Sequence, residues 1–417
     1  MTDLIRDKMY KKMLLRRKFY KRIFLMTVVF LISFYFSSIL FGDIKVPLVM
    51  RLTDLNRCPA CYGVSVCPEL YSNQITLENS HRWARLFNAK NIYYGSTKSN
   101  RRVVLKKLAH DSELHDFDSK LCKTWKLKRN CKPIDLLNVT DVDKKFVELV
   151  QYNLSSPNKE PVKGLVVCPY GYSIYDFIQP VLNNMKNHHP RNSDLINVWT
   201  LLSINPEPII LQVLPKSQGW PVPPFGGVCG RIEVVGHEGE SLDSMRNVEW
   251  HRKLKFSLKI LEAALDFTLK HERYSFYLMD WSVDNIVINS KDEVTFVDLE
   301  DVIVIDKHIT PGADLPNWYQ RNIRDSRNSG YSFSVEKICK HHLSDHNLWA
   351  ACYLLAHDDD PFLYPIPKEA MKKWPHLDKL LQSCLATDDR FRTVTLLQQS
   401  IHEILNDEKA ATFGVVR

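Results

Sequence analysis

Three features of the 417-residue chain predict an α+β fold of two lobes. The first is a pair of strand-like segments, Asn91–Tyr94 and Arg102–Leu108, separated by the polar turn Gly95–Asn100. The second is a row of leucines, Leu254, Leu258, Leu261, Leu265 and Leu269, at the spacing of one face of an amphipathic helix. The third is a strand–turn–strand soon afterwards: Asn285–Ile288, the turn Ser290–Asp292, then Val294–Asp298, which ends in an acid. Between these landmarks the proline-dense stretch Pro206–Pro224 reads as extended or turning, and Arg231–Val235 as a strand. The final hundred residues read as helix and loop.

The formal net charge is +8, and most of it sits in residues 1–22, which hold nine Lys or Arg against two Asp. The remaining body is near neutral, which argues against nucleic acid as a partner. Ile23–Phe41 follows directly with no charged residue. A helix of that length spans roughly 28 Å, close to the hydrocarbon thickness of a bilayer. The basic tail should stay cytosolic and the C-terminal side should be luminal. The competing assignment is a cleaved signal peptide, but the apolar run is long for one and no small-x-small cleavage site follows. An uncleaved signal-anchor is therefore expected. The resulting division is a cytosolic tail 1–22, a transmembrane anchor 23–41, a Cys-bearing luminal stem 43–79, a first lobe 80–235 and a second lobe 236–417.

All ten cysteines lie after the apolar run. An even number in an oxidising compartment reads as disulfides, with pairing left open. Cys58-Pro-Ala-Cys61 has the spacing of half a zinc site, but no second pair lies near it. Two N-glycosylation triplets, at Asn138 and Asn153, accord with a luminal body.

The most informative stretch is Leu278-Met-Asp280-Trp-Ser-Val-Asp-Asn285, with Asp298 at the end of the following hairpin. Asp, four residues, then Asn is the spacing of a protein-kinase catalytic loop, and a metal-binding Asp closes the hairpin after it. Transfer of a γ-phosphoryl group needs positioning and charge neutralisation. Asp280 would accept the proton of the attacking hydroxyl. Asn285 and Asp298 supply the hard oxygen ligands that suit Mg²⁺ or Mn²⁺. Upstream, Val103-Val-Leu-Lys106 has the form of the strand whose lysine pairs the phosphates of ATP. Its acidic partner is expected on the next helix: Glu113, with Asp116 and Asp118 as alternatives. Each element alone is common; their order on fitting elements is specific to a bilobal protein-kinase-like fold.

Around these motifs the chain resembles the divergent protein kinase domain 2 family, also called the deleted-in-autism family, which is related to the FAM69 group. The passages that carry the resemblance are Cys58-Pro-Ala-Cys61, Arg101–Lys106, Asn205-Pro-Glu-Pro208, Gly219-Trp-Pro221, Cys229-Gly-Arg231 and Tyr277–Asn285, within about residues 55–417. The resemblance implies Golgi or endoplasmic-reticulum residence, possible secretion, a catalytic role for Asp280, and metal binding by Asn285 and Asp298. Departures from the general kinase pattern are plain. Leu278-Met279 replaces His-Arg before the catalytic Asp, so a phosphorylated activation loop lacks that arginine partner. Asp298-Leu-Glu300 replaces Asp-Phe-Gly, no Ala-Pro-Glu follows, and only Gly95 stands near the place of a Gly-rich phosphate loop.

Two functions are expected to compete. One is ATP- and metal-dependent phosphotransfer to hydroxyls of luminal proteins or glycans. The other is a pseudokinase acting as a secreted or membrane-tethered binding protein toward an unidentified luminal or extracellular partner. A changed reaction on the same fold, such as nucleotidyl transfer, is a third.

Overall fold

The computed structural model describes residues 23–33, 48–78, 91–124, 126–127, 134–135, 164–170, 174–184, 191–308, 315–316, 318–321, 334–357 and 360–414. The basic tail, both glycosylation triplets and Cys131 lie outside these residues. The chain divides into two units, Met1–Leu52 and Thr53–Arg417. In the first, residues 23–33 are helical and largely exposed. Among the described residues no helix is long and apolar enough to cross a membrane, and residues 34–41 of the expected anchor are not among them.

The second unit begins with a five-stranded antiparallel sheet. Its strands are β1 (Ile75–Leu77), β2 (Ile92–Thr97), β3 (Arg102–Lys107), β5 (Phe225–Cys229) and β6 (Ile232–Gly236), in the order β1-β2-β3-β6-β5. The strand β4 (Leu165–Val167) belongs elsewhere: it pairs in parallel with β11 (Val302–Asp306), which pairs on its other side with β8 (Tyr274–Leu278). The short β7 (Glu240–Ser241) lies beside the hairpin of β9 (Ile286–Ile288) and β10 (Val294–Phe296). The expected strand–turn–strand ahead of Asp298 is therefore present.

Four readings are corrected. Gly95 lies inside β2, opposite Val103 and Leu77, and a Cβ there would meet the Thr76 carbonyl oxygen at 2.8 Å. It serves close strand approach, and the turn falls after Thr97. The proline-dense stretch contains a helix, because proline is accepted in a first helical turn, where its missing N–H has no partner to lose. The leucine stripe leaves register at its end: the helix Trp250–Leu265 passes into a π-helical turn over Asp266–Lys270, which rotates Leu269 out to 46% exposure. The stem, finally, is part of the sheet: it contributes β1 and lines the outer edge at β5. The Tyr62 amide donates to the Gly230 carbonyl (2.8 Å), the Val66 amide to the Val228 carbonyl (3.1 Å), and Cys67 is bridged to Cys229. Covering an edge strand in this way satisfies backbone groups that would otherwise invite foreign pairing.

Among the described residues four disulfides form: Cys58–Cys61, Cys67–Cys229, Cys168–Cys339 and Cys352–Cys384. The second closes a separation of 162 residues and the third one of 171, so each removes a large loop entropy from the unfolded chain.

Helices form much of the rest. They are α1 (Cys67–Tyr71), α2 (Asp111–Thr124), α3 (Ile174–Asn184), α4 (Asn192–Ile204), α5 (Glu207–Val213), α6 (Trp250–Leu265), α7 (Val335–Cys339), α8 (His346–Ala356), α9 (Lys368–Lys373), α10 (Pro375–Ala386) and α11 (Arg390–Gly414). α6 and α8 bury Leu254, Leu258, Leu261, Leu348 and Leu355 in the main core, behind β8. Burial of each such side chain contributes about 1.5–3 kcal/mol.

Gly230 is the tightest joint between stem and sheet. It has φ +60°, and a Cβ would lie 1.7 Å from the Thr53 carbonyl oxygen, which accepts from the Arg231 amide at 2.7 Å. Gly230→Ala is expected to cost more than about 1 kcal/mol. Denaturant unfolding measures it; an unchanged midpoint would mean that the Thr53 segment yields freely.

Candidate functional site

The ladder β2–β3–β6 sets the geometry of the site. Ile92, Lys106 and Glu233 stand directly opposite one another on adjacent strands, so their side chains share one face. That face carries Lys106 to a cavity of ≈ 520 Å³, which Glu207, Asn285, Asp298, Glu300 and Asp301 also line. The size suits a nucleotide-sized ligand.

Lys106 Nζ donates to both carboxylate oxygens of Glu207, at 2.7 and 2.9 Å. Glu207 is fully buried and the lysine side chain is 12% exposed. Burial alone would discharge the lysine; the charge of Glu207, with Glu233 and Asp298 behind it, wins and holds Lys106 above the ordinary lysine range.

Glu113, expected as the partner, is not. It lines the cavity, but its carboxylate accepts from the His110 amide (2.8 Å) at the start of its own helix, α2. Asp116 is exposed, and Asp118 bonds Arg231 at 2.5 Å. The partner that sequence reasoning missed lies 101 residues downstream. One signal was available: Glu207 is a single acid at the head of the apolar run Pro208–Leu211.

The catalytic-loop residues hang from β8. The Asn347 side chain accepts from the Leu278 amide (3.1 Å) and donates to the Phe276 carbonyl (2.7 Å), while His346 Nε2 donates to the Leu278 carbonyl (3.1 Å). Burial drives the His346 imidazole down to about 4, so it is neutral and able to make that bond. Asp280 follows, is exposed, and accepts from Asn285 Nδ2 at 2.8 Å. That bond orients the amide and leaves Asn285 Oδ1 as the available oxygen. Trp281 packs edge-on against Phe296 with centroids 4.8 Å apart, fixing the loop to the hairpin.

Asp298 adopts φ +67°, in the left-handed region that aspartate enters at modest cost. The turn aims its amide at Glu207 Oε1, 3.2 Å away, so one buried carboxylate holds both the lysine and the strand-end acid. Withdrawal from bulk water, with the negative charge of Glu207 close by, pushes the Asp298 carboxyl up to about 6. Burial and the charge of Asp298 push Glu300 up to about 7. Glu233 is fully buried, and burial followed by the charge of Glu207 raises it well above the usual range. The site thus brings Lys106, Asn285 and Asp298 together around one cavity, whereas Asp280 is not among the lining residues and joins the site through its bond from Asn285.

Residues 198–387 match the family described as "Protein-kinase domain of FAM69", a segment that includes Glu207, Asp280, Asn285 and Asp298 but begins after Lys106. The chain is 30% identical to "Divergent protein kinase domain 2A" of Homo sapiens over 377 residues, covering 82% of this chain and 84% of that one. It is 29% identical to the protein of the same name from Xenopus tropicalis over 395 residues, covering 86% and 89%. It is 25% identical to "Divergent protein kinase domain 2B" of Mus musculus over 202 residues, covering 43% of this chain and 44% of that one.

Two outcomes follow. Lys106→Met leaves Glu207 buried and unpaired and is expected to destabilise the fold by about 3–5 kcal/mol; Lys106→Met with Glu207→Met should recover part of this, because the orphaned charge is gone. Chemical denaturation of both variants tests the pair, and a double variant no more stable than the single would refute it. The raised carboxyl of Asp298 means that a cation must displace a proton at acid pH. Mn²⁺ affinity should therefore climb by up to about tenfold per unit as pH rises toward 6 and level off above 7. Calorimetric titration at pH 5, 6 and 7.5 checks the direction, and a flat profile would contradict it.

Proposed function

Because the chain belongs to the divergent protein kinase domain 2 family and gathers a lysine, an amide oxygen and an acid around one cavity, we propose that it binds ATP with Mg²⁺ or Mn²⁺ and transfers the γ-phosphoryl group to a hydroxyl. The observation that carries this reading is the convergence on one buried carboxylate, Glu207, of Lys106 and the backbone of Asp298. Residues 192 positions apart are thereby held to one carboxylate, where they would face the same phosphate and metal.

The donor set fits the metal. Asn285 Oδ1 and the Asp298 carboxylate are hard oxygens of the kind Mg²⁺ takes. Among the described residues no group of three or more His, Cys, Asp or Glu is placed to hold a metal. Two protein ligands, with phosphate oxygens and water completing the shell, are the usual arrangement at nucleotide sites. When bound, the metal neutralises charge on the phosphates. Lys106, held charged by Glu207, would meet the α- and β-phosphates. Asp280 would accept the proton as the hydroxyl oxygen bonds to the γ-phosphorus and the bond to the β–γ bridging oxygen breaks, releasing ADP. Glu113 would contribute to the cavity wall.

The acceptors are proposed to be luminal proteins or glycans of the Golgi or endoplasmic reticulum, reached behind a retained N-terminal anchor or after secretion. Four disulfides among the described residues support an oxidising compartment. A second reading, a pseudokinase that binds a partner protein, is favoured by one observation: Gly95 is committed to strand pairing and is not free for a phosphate loop.

Thermal-shift titration of the full-length chain with ATP and Mn²⁺ distinguishes the two. Binding raises the melting temperature once the ligand exceeds its dissociation constant, and Asp298→Asn should abolish the metal-dependent part of the rise. No shift at millimolar ATP with folded protein would favour the pseudokinase.

A further inference from the structure

Asn205 is nine-tenths and more buried and spends its whole side-chain amide on three separate segments. Its Oδ1 accepts from the Glu207 amide at 2.9 Å, at the head of α5. Its Nδ2 donates to Glu300 Oε2 at 2.6 Å and to the Leu108 carbonyl at 3.3 Å. Its own backbone amide donates to the Leu201 carbonyl at 3.0 Å, which fixes it to the end of α4. Each of the three segments carries a site residue two positions away: Lys106 before Leu108, Asp298 before Glu300, and Glu207 after Asn205 itself.

The segment after Asp298 is pinned a second time. Asp301 Oδ1 accepts from the Gly164 amide at 2.6 Å, and the Asp301 carbonyl accepts from the Met279 amide at 3.0 Å, one residue before Asp280. Glu300 lies between these pins and Asp298. A glycine at that position would have no side chain to hold.

We propose that Asn205 and Glu300 form a positioning latch that sets Asp298 against Lys106, and that Glu300 works through the bond it accepts from Asn205 and not as a metal ligand. The assignment rests on the nucleotide–metal reading above. The Lys106–Glu207 pair closes the lysine side of the site by itself, with two short bonds of its own. On the other side, the Asp298 amide reaches Glu207 at 3.2 Å and the Val297 amide donates to the Asn285 carbonyl at 2.8 Å, so backbone bonds hold the chain entering Asp298, whereas the chain leaving it is held by the latch and the Asp301 pins. Groups that orient a ligand-bearing residue typically contribute 10–100-fold to metal affinity without touching the metal.

The chemistry of the latch separates it from a charge effect. Glu300→Gln keeps an oxygen that accepts from Asn205 and discards the negative charge; Glu300→Ala discards both. Isothermal titration of the full-length chain with ATP, with Mn²⁺ and separately with EDTA, is the test. For Glu300→Ala the affinity for ATP with Mn²⁺ is expected to fall about 10–100-fold, with metal-free ATP binding unchanged. Glu300→Gln should match the wild type in both. Equal Mn²⁺-dependent affinity in the wild type and Glu300→Ala would overturn the latch. So would a loss in Glu300→Gln as large as in Glu300→Ala, which would make Glu300 a ligand. An equal loss of metal-free and metal-dependent binding in Glu300→Ala would reduce the residue to general structural support and overturn it as well. Wild-type protein that binds ATP in neither condition would overturn the nucleotide reading and the latch with it, and that outcome is read on the wild type alone.

Discussion

The buried ion pair between Lys106 and Glu207 is the constraint around which the site is built. Removing two opposite charges from water costs several kcal/mol each, and close, well-aligned bonds must offset it. Both lysine–carboxylate contacts are under 3 Å, and the same carboxylate also accepts the Asp298 amide. Further features follow from the need to keep Glu207 fixed. The helix α5 begins at that residue, and Asn205 accepts from its amide. The chain accepts a left-handed aspartate at Asp298 because this conformation points an N–H where the carboxylate has room for a third donor.

The second property of the site is its surplus of acid. Asp298, Glu300 and the buried Glu233 all hold protons more tightly than an exposed carboxyl would. Glu233 is the sharpest case, since it is fully buried with the Glu207 carboxylate beside it. A core selected for stability alone would place an apolar residue there, because withdrawing a carboxyl group from water beside another carboxylate is costly. Local violations of folding economy concentrate at functional sites, and this one lies one strand away from Lys106 on the same face of the sheet. Cations relieve such a crowd, and this is the electrostatic support for the metal-bound nucleotide proposed above.

The cysteine-bearing N-terminal segment takes its meaning from the same sheet. The strand β5 is an edge, and β6 beside it carries Glu233. Residues 62–67 run along that edge and are bridged to it by Cys67–Cys229. At the far end of the strand order, β1 closes the other edge. The segment thus braces the lobe that presents Lys106.

Local information reached some parts of this architecture and not others. The strand of Lys106, the hairpin before Asp298 and the Asp280–Asn285 spacing were legible because each depends on a few consecutive residues and a fixed period. Glu113 was a sound local choice, being the next acid on the next helix, yet helix α2 consumes it as its own N-terminal acceptor. Only the tertiary structure decided for Glu207, since an ion pair spanning 101 residues is set by how α4 and α5 pack, and the neighbouring sequence offers no more than a lone acid ahead of an apolar run. The same holds for the disulfide partners and for Gly95, whose place inside β2 depends on the Thr76 carbonyl of β1, 19 residues away. By itself the sequence determined the residue types that the chemistry requires and the local elements that carry them. Tertiary packing decided which of those residues meet, because a buried charge is tolerated only where a distant segment supplies its partner.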